Sequence, residues 1–329
     1  MTGRRFHFSS DGLTEDTAFS AYQRLYQAGS DVSRGVGTFR ARLQGARLDS
    51  MLLFERELSG VVHARSDRVL RDGFDHFVLH MVLAGELIGG AESGFDVAGP
   101  GDLLLVDMTR PSRTEARDLH VLTCSVSRNV MEAALGQTEQ LHGTIIGAPD
   151  TLMLRDMMLS ITTNIGQLPA AVLPGLTRAL IEILGATLNT GMSPAAGARR
   201  IDFARREAAI RAIVARVGDR TLDAARVAEV IGQSRSTLYR LFEREGGVAE
   251  RIMAIRLAAV RDALEEGSTE PLAILAERFG FADESHMNRR FNRAFGRPAG
   301  GFRREIATVE PDSVAASVRR WGGWMSEIC

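Results

Sequence analysis

Arg235, Ser236, Tyr239 and Arg240 are spaced to share one side of a helix, and Glu284, Ser285, Asn288 and Arg289 are spaced to share one side of another. Their chemistry suits base edges: Arg pairs with guanine, Asn with adenine, Glu accepts from cytosine, and Ser serves either. Beside them stand Ser234, Thr237, Arg244, Arg290, Arg293 and Arg297, hydroxyls and guanidiniums of the kind that hold phosphate oxygens. The first eight are candidate base-contacting residues, the last six candidate phosphate-contacting residues, and double-stranded DNA is the partner they predict. Elsewhere, His76 and His80 lie four apart in an apolar run, so on a strand they would share a face. No Ser/His/Asp set, phosphate loop or carboxylate pair stands out, and no catalytic residue, cofactor or metal is expected.

The helices that must carry the polar sets come from an internal repeat. Ala228 and Gly232 in the first copy match Ala276 and Gly280 in the second; after one extra residue in the second turn, Ser236 matches Ser285, Arg240 matches Arg289 and Phe242 matches Phe291. Each copy reads as a helix-turn-helix. The Ala lets two helices cross closely, and the Gly four residues later takes the positive φ that ends the first helix. A short polar turn leads to a cap, Ser234 in one copy and Asp283 in the other. Leu238, Leu241 and Phe242, and in the second copy Met287, Phe291 and Phe295, supply the inward sides.

From Leu275 to Phe291, with Phe295-Gly296-Arg297-Pro298 following, the second copy resembles the DNA-binding domain of the AraC/XylS transcription regulators, a likeness that extends over roughly a hundred residues. Gly246 to Ile252 and Arg256-Leu257 resemble the start of that family's linking helix. The sequence departs from the pattern at Arg251, where an aromatic is common, and at Ala299-Gly300-Gly301-Phe302-Arg303, which is poor in helix formers; both departures predict weaker packing away from the DNA face. The resemblance implies a multidomain fold: an N-terminal, mainly-β, cupin-like barrel with flanking helices, and a C-terminal all-α domain with two helix-turn-helix motifs. It further implies a cytoplasmic transcription activator, a homodimer, with RNA polymerase as a partner and an unknown small-molecule effector at the barrel. Each protomer would set its two recognition helices in successive major grooves about 34 Å apart.

Composition agrees with such a division of labour. All 40 basic side chains among 329 residues are Arg, and the net charge is -1. Residues 199–307 hold 21 Arg against 16 acids, whereas residues 1–198 hold 17 Arg against 22 acids; basic excess in one part suggests a polyanion partner there. No apolar stretch approaches the roughly 18–20 residues of a membrane span, and no apolar run follows Arg4 and Arg5, so neither membrane nor signal peptide is expected. Cys124 and Cys329 fit no metal or redox spacing.

Residues 35–127 read as short strands broken by Gly, Pro and Asp turns, among them Pro100-Gly101-Asp102, which looks like a turn of cupin-like barrels. Many cupin enzymes hold a metal through a His pair, a Glu and a later His. Here Glu86 follows the pair, but Asp107 and Met108 occupy the place of the later His. Two amphipathic helices follow, one through Leu152, Leu154, Met158 and Ile161, the other through Leu173, Leu180, Leu184 and Leu188. They are read as a dimer face or as a cover for the barrel edge. The expected layout is a regulatory and dimerisation domain at 1–190, a linker at 191–200, the DNA-binding domain at 201–307 and a tail at 308–329. The tail, with Trp321, Trp324 and Cys329, has no local pattern that assigns it a role.

Overall fold

The computed structural model describes residues 5–26, 29–48, 51–66, 69–70, 72–91, 96–169, 172–188, 194–243, 246–265, 267–307 and 321–325. The chain divides into two compact units, one of residues 1–3 and 198–311, the other of residues 4–197 together with 312–329. The larger unit runs β1 (Arg5–Ser9), α1 (Glu15–Tyr26), β2 (Asp31–Arg34), β3 (Arg40–Leu48), β4 (Met51–Ser59), β5 (Val61–Arg65), β6 (His76–Ala91), β7 (Asp96–Ala98), β8 (Leu103–Asp107), β9 (Ser112–Ser127), α2 (Arg128–Leu135), β10 (Ile145–Ile146), α3 (Leu152–Asn164) and α4 (Leu173–Thr187). It is the mainly-β, cupin-like domain with flanking helices that the family resemblance implies.

Its strands form an antiparallel sheet in the order β1-β3-β4-β9-β6-β8-β10. The long strands β6 and β9 each serve two sets of neighbours: the start of β9 pairs with β5 and its end with β4, while the start of β6 pairs with β8 and its end with β7. Irregular register between Val82 and Glu86 bends this central pair, as bulges do. Period-2 alternation places Phe54, Arg56 and Leu58 of β4 on the buried face while Glu57 points out. Gly45 sits opposite Phe54, whose ring lies where a Cβ would stand, 2.2 Å from Cδ1; a larger residue there would displace the aromatic core. In the predicted turn, Gly101 takes φ +94° and the Asp102 carboxylate accepts from Gly99 N–H at 2.9 Å.

The core of this unit gathers Phe6, Phe8, Phe39, Phe54, Tyr22 and Tyr26, and it also contains Trp321, Trp324 and Met325 from the end of the chain. Residues 321–325 form a helical turn. The Trp321 ring lies 4.7 Å from Phe54, 4.9 Å from Tyr26 and 5.4 Å from Phe6. Residues 321–325, part of the tail with no legible role in the sequence, thus pack in the barrel core; the rest of the tail, Cys329 included, lies outside the described residues.

The second unit is helical: α5 (Pro194–Ala215), α6 (Ala224–Val230), α7 (Arg235–Leu241), α8 (Val248–Glu265), α9 (Leu272–Arg278), α10 (Glu284–Phe295) and α11 (Ala299–Ala307). α5 begins inside the segment expected to be linker, because Pro194 is tolerated in a first turn and the Ala-rich residues after it favour helix. Two separate cores form. Ile210, Ile213, Val227, Leu238 and Phe242 surround Val248 and Ile252 at the start of α8, whereas Leu275, Met287, Phe291 and Phe302 surround Leu257, Val260 and Leu264 at its end. One helix of about 27 Å therefore anchors both copies. No helix among the described residues is long and apolar enough to cross a membrane.

The predicted weak point at Ala299–Arg303 is helical all the same. Asn288 Oδ1 accepts from Ala299 N–H at 3.1 Å and satisfies the start of α11. Phe302 is buried against Phe291, with ring centroids 5.5 Å apart, and Arg303 donates to the Glu270 carbonyl at 2.5 Å. These tertiary contacts outweigh the helix cost of Gly300 and Gly301, about 1 kcal/mol each.

Candidate nucleic-acid interface and barrel cavity

Each candidate recognition helix starts on a side-chain cap. Ser234 Oγ accepts from Thr237 N–H at 3.1 Å, and Asp283 accepts from His286 N–H at 2.7 Å. Before each cap a Gly ends the preceding helix with positive φ, Gly232 at +63° and Gly280 at +74°. The inward residues Leu238, Phe242, Met287 and Phe291 are fully buried. With those faces fixed, the opposite faces point to solvent.

On α7, Arg235, Ser236, Tyr239 and Arg240 are exposed. Arg235 has no hydrogen-bond or ion-pair partner among the described residues, Ser236 Oγ lies 2.9 Å from Ser234 Oγ, and Tyr239 is 49% exposed. Arg240 pairs with Asp202 of α5 at 3.0 Å. On α10, Glu284, Ser285 and Arg289 are exposed, and Arg289 has no partner among the described residues. Asn288 is half-buried; its oxygen holds α11, while its Nδ2 is 3.5 Å from Glu284 Oε1. Among the phosphate candidates, Ser234 and Thr237 are joined at the cap, their hydroxyl oxygens 2.9 Å apart. Arg290 reaches Glu250 at 3.5 Å, Arg297 pairs with Glu305, and Arg293 is exposed and unpaired among the described residues. Arg244 lies outside the described residues.

The Arg240–Asp202 pair places a carboxylate beside a candidate DNA contact. Exposed pairs of this kind contribute about 0–1 kcal/mol. Asp202→Asn is therefore expected to leave thermal stability almost unchanged and to tighten duplex binding up to about fivefold, as read by fluorescence anisotropy at low salt. Weaker binding by this variant would contradict a competing role for Asp202.

The barrel holds the second site, a cavity of ≈ 690 Å³ including its open mouth. His63, His76 and His80 line it with Arg56, Thr123, Phe54 and Trp321. Glu86 is exposed and is not part of the lining. Arg56 Nη2 donates to His80 Nδ1 at 3.1 Å, which uses the lone pair a metal would need and sets a cation beside it. Among the described residues no group of three or more His, Cys, Asp or Glu is gathered to hold a metal. Cys124 is buried in the sheet, and burial pushes its thiol up to about 12.

Burial also sets the histidines. Desolvation, with Arg56 adding to it, lowers His63 to about 3 and holds His80 well below its ordinary value. Desolvation, aided by Arg65, lowers His76 to about 4. All three are neutral in the folded barrel at pH 7. Because unfolding restores a pKa near 6.5, the unfolded chain takes up more protons below that pH. Stability is then level above about pH 6.5 and falls as the pH drops towards 4, with His76 alone accounting for about 2 kcal/mol at pH 5. Urea unfolding followed by tryptophan emission should show this loss between pH 7 and pH 5; equal midpoints would contradict it.

Comparisons with known proteins place both units. Residues 227–305 match a helix-turn-helix domain, and residues 23–189, just over half of the chain, match an AraC-binding-like domain. Over 84 residues the chain is 32% identical to the Multiple antibiotic resistance protein MarA of Escherichia coli (strain K12), and equally to that of Salmonella typhimurium. That match covers 25% of this chain and 65% of those relatives, so the chain spans slightly less than two thirds of their length. The fold is similar to the crystal structure of the AraC-like transcriptional activator CuxR, with a TM-score of 0.54, 20% identity, and coverage of 78% of this chain and 94% of that one. With its strand-rich unit matched over 23–189 and its paired helix-turn-helix unit over 227–305, the chain belongs to the AraC/XylS family of DNA-binding transcription regulators.

Proposed function

We propose that this chain is a sequence-specific transcription activator that places α7 and α10 in successive major grooves and takes a small-molecule effector in the barrel cavity. The observation that carries it is the pair of capped helices whose apolar sides are locked into separate cores on one shared helix, α8, while Arg235, Tyr239, Arg240, Glu284, Ser285 and Arg289 remain outside. Arg235, Arg240 and Arg289 read base edges with Ser236, Tyr239, Glu284 and Ser285. Asn288 joins them through its amide, whose oxygen already accepts one hydrogen bond from Ala299 N–H. Ser234, Thr237, Arg244, Arg290, Arg293 and Arg297 contact phosphates. Selecting bound fragments from random duplexes with the purified chain should give one defined motif; recovery of random sequence would overturn the reading.

Activation follows from the family and from the likeness to the transcriptional activator CuxR, with RNA polymerase as the partner and the cytoplasm as the place of action. The chain acts by binding rather than catalysis. Residues 1–190 form the regulatory and dimerisation domain and 201–307 the DNA-binding domain. A homodimer is supported by α3, which buries Leu154, Met158 and Ile161 yet leaves Met153 69% exposed and Leu152 and Leu159 about a third exposed or more.

A further inference from the structure

We propose that the barrel cavity binds a small organic carboxylate with an apolar body, anchored by Arg56 and enclosed by Trp321 of the C-terminal turn. Resting on the effector-binding reading of the N-terminal domain, this names the chemical class of the ligand and a wall of its site that comes from beyond the DNA-binding unit.

Arg56 is 6% exposed on the inward face of β4 and lines the cavity. A guanidinium keeps its charge in a protein, and a buried charge is costly unless it is paired and fully hydrogen-bonded. Among the described residues no carboxylate pairs with Arg56. Nη1 donates to the Tyr26 hydroxyl at 3.2 Å and Nη2 to His80 Nδ1 at 3.1 Å, and Nε has no partner. Two neutral acceptors hold the group in place without cancelling its charge.

The other charged or titratable groups of the lining do not cancel it either. Arg65 is paired with Asp72 at 2.5 Å. His63, His76 and His80 are neutral at pH 7, so they neither compete with Arg56 for an anion nor repel a cation. Among the described residues, then, the cavity carries the uncompensated positive charge of one planar group whose Nε–H has no partner, a match for a carboxylate. A doubly charged phosphate would leave excess negative charge in an apolar enclosure.

The rest of the enclosure is mostly apolar, with the hydroxyls of Ser112, Thr114, Thr123 and Ser125 interspersed. Phe54, Phe74, Val78, Val106, Met108 and Trp321 supply its walls. Trp321 packs against both Phe54 and Tyr26 with tilted rings, and Tyr26 is the residue that also accepts from Arg56. A ligand on Arg56 would therefore touch, or sit one ring away from, the C-terminal turn. In sequence the DNA-binding unit lies between α4 of the barrel and residues 321–325, which pack in the barrel core.

The test uses the full chain and its own reporters, because its two tryptophans are Trp321 and Trp324. Emission and melting temperature would be followed during titration with 3-phenylpropanoate and octanoate, with their uncharged primary amides, and with inorganic phosphate. The expected result is a saturable change in emission and a raised melting temperature with at least one carboxylate. Its amide should bind at least tenfold more weakly, phosphate should not bind, and Arg56→Met should lose the carboxylate response. If Arg56→Met fails to fold, the carboxylate–amide comparison on the natural chain still decides. Equal binding of amide and carboxylate, or an undiminished response in folded Arg56→Met, would overturn the assigned ligand class while leaving an effector cavity intact. No response to any carboxylate would overturn the proposal itself, and the DNA-binding reading would stand on its own experiment.

Discussion

Phe291→Ala is expected to destabilise the helical unit by about 3–5 kcal/mol, a large share of the roughly 5–15 kcal/mol that stabilises a typical domain. Phe291 is fully buried, and its ring lies 4.5 Å from Phe295 and 5.5 Å from Phe302. Removing it takes away the ring against which α10 and α11 pack and loosens the support of the exposed Arg289. The two units can be read separately. Trp321 and Trp324 report the barrel, whereas α5 to α11 dominate the helical circular dichroism signal. The variant should lose much of its helical transition at lower urea while tryptophan emission keeps its midpoint. An unchanged helical transition would contradict the assignment of Phe291 as the centre of the second core.

Arg289→Ala carries the second large effect, and it acts on binding rather than stability. The side chain is exposed and has no partner among the described residues, so its removal should leave unfolding unchanged. Loss of a bidentate contact to guanine would weaken binding to the selected site by about 1–3 kcal/mol, roughly 5- to 150-fold. Discrimination at one base position should relax with it. Were Arg289 instead a phosphate contact, all sequences would weaken alike and the dependence of log affinity on log salt would flatten by about one. Anisotropy titrations on matched and single-mismatch duplexes at several salt concentrations separate these outcomes.

Much of the candidate interface is legible in the residue string because helix-turn-helix physics is local. A Gly that must take positive φ, a capping Ser234 or Asp283, and apolar residues at helical spacing lie within about twenty residues of one another, and each does in the structure what its type predicts. Interactions that span the chain are not legible in this way. Asp202 and Arg240 are 38 positions apart, and Asn288 shares helical phase with the outward residues although its oxygen is used by Ala299. Phe302 helps to hold a Gly-Gly helix because Phe291 and Phe295 stand opposite it.

The barrel is less legible still. Texture shows strands, but not that β9 and β6 are shared between two sets of neighbours. Arg56 lies between Glu55 and Glu57 and looks like part of a charged surface. The usable signal is parity: it shares a phase with Phe54 and Leu58, both buried. Trp321 offers no comparable signal, since it meets Phe6 and Phe54 across more than 260 positions of sequence.

The account turns on α7 and α10 reaching one duplex together. Hydroxyl-radical and guanine-N7 interference footprinting of the full chain on its selected site tests this most directly. Two major-groove contact patches should appear on one face of the helix, about one turn apart, with Arg235→Ala removing a guanine-N7 contact from one and Arg289→Ala a guanine-N7 contact from the other. A single patch, contacts confined to the minor groove, or an N7 pattern unchanged by both substitutions would contradict it.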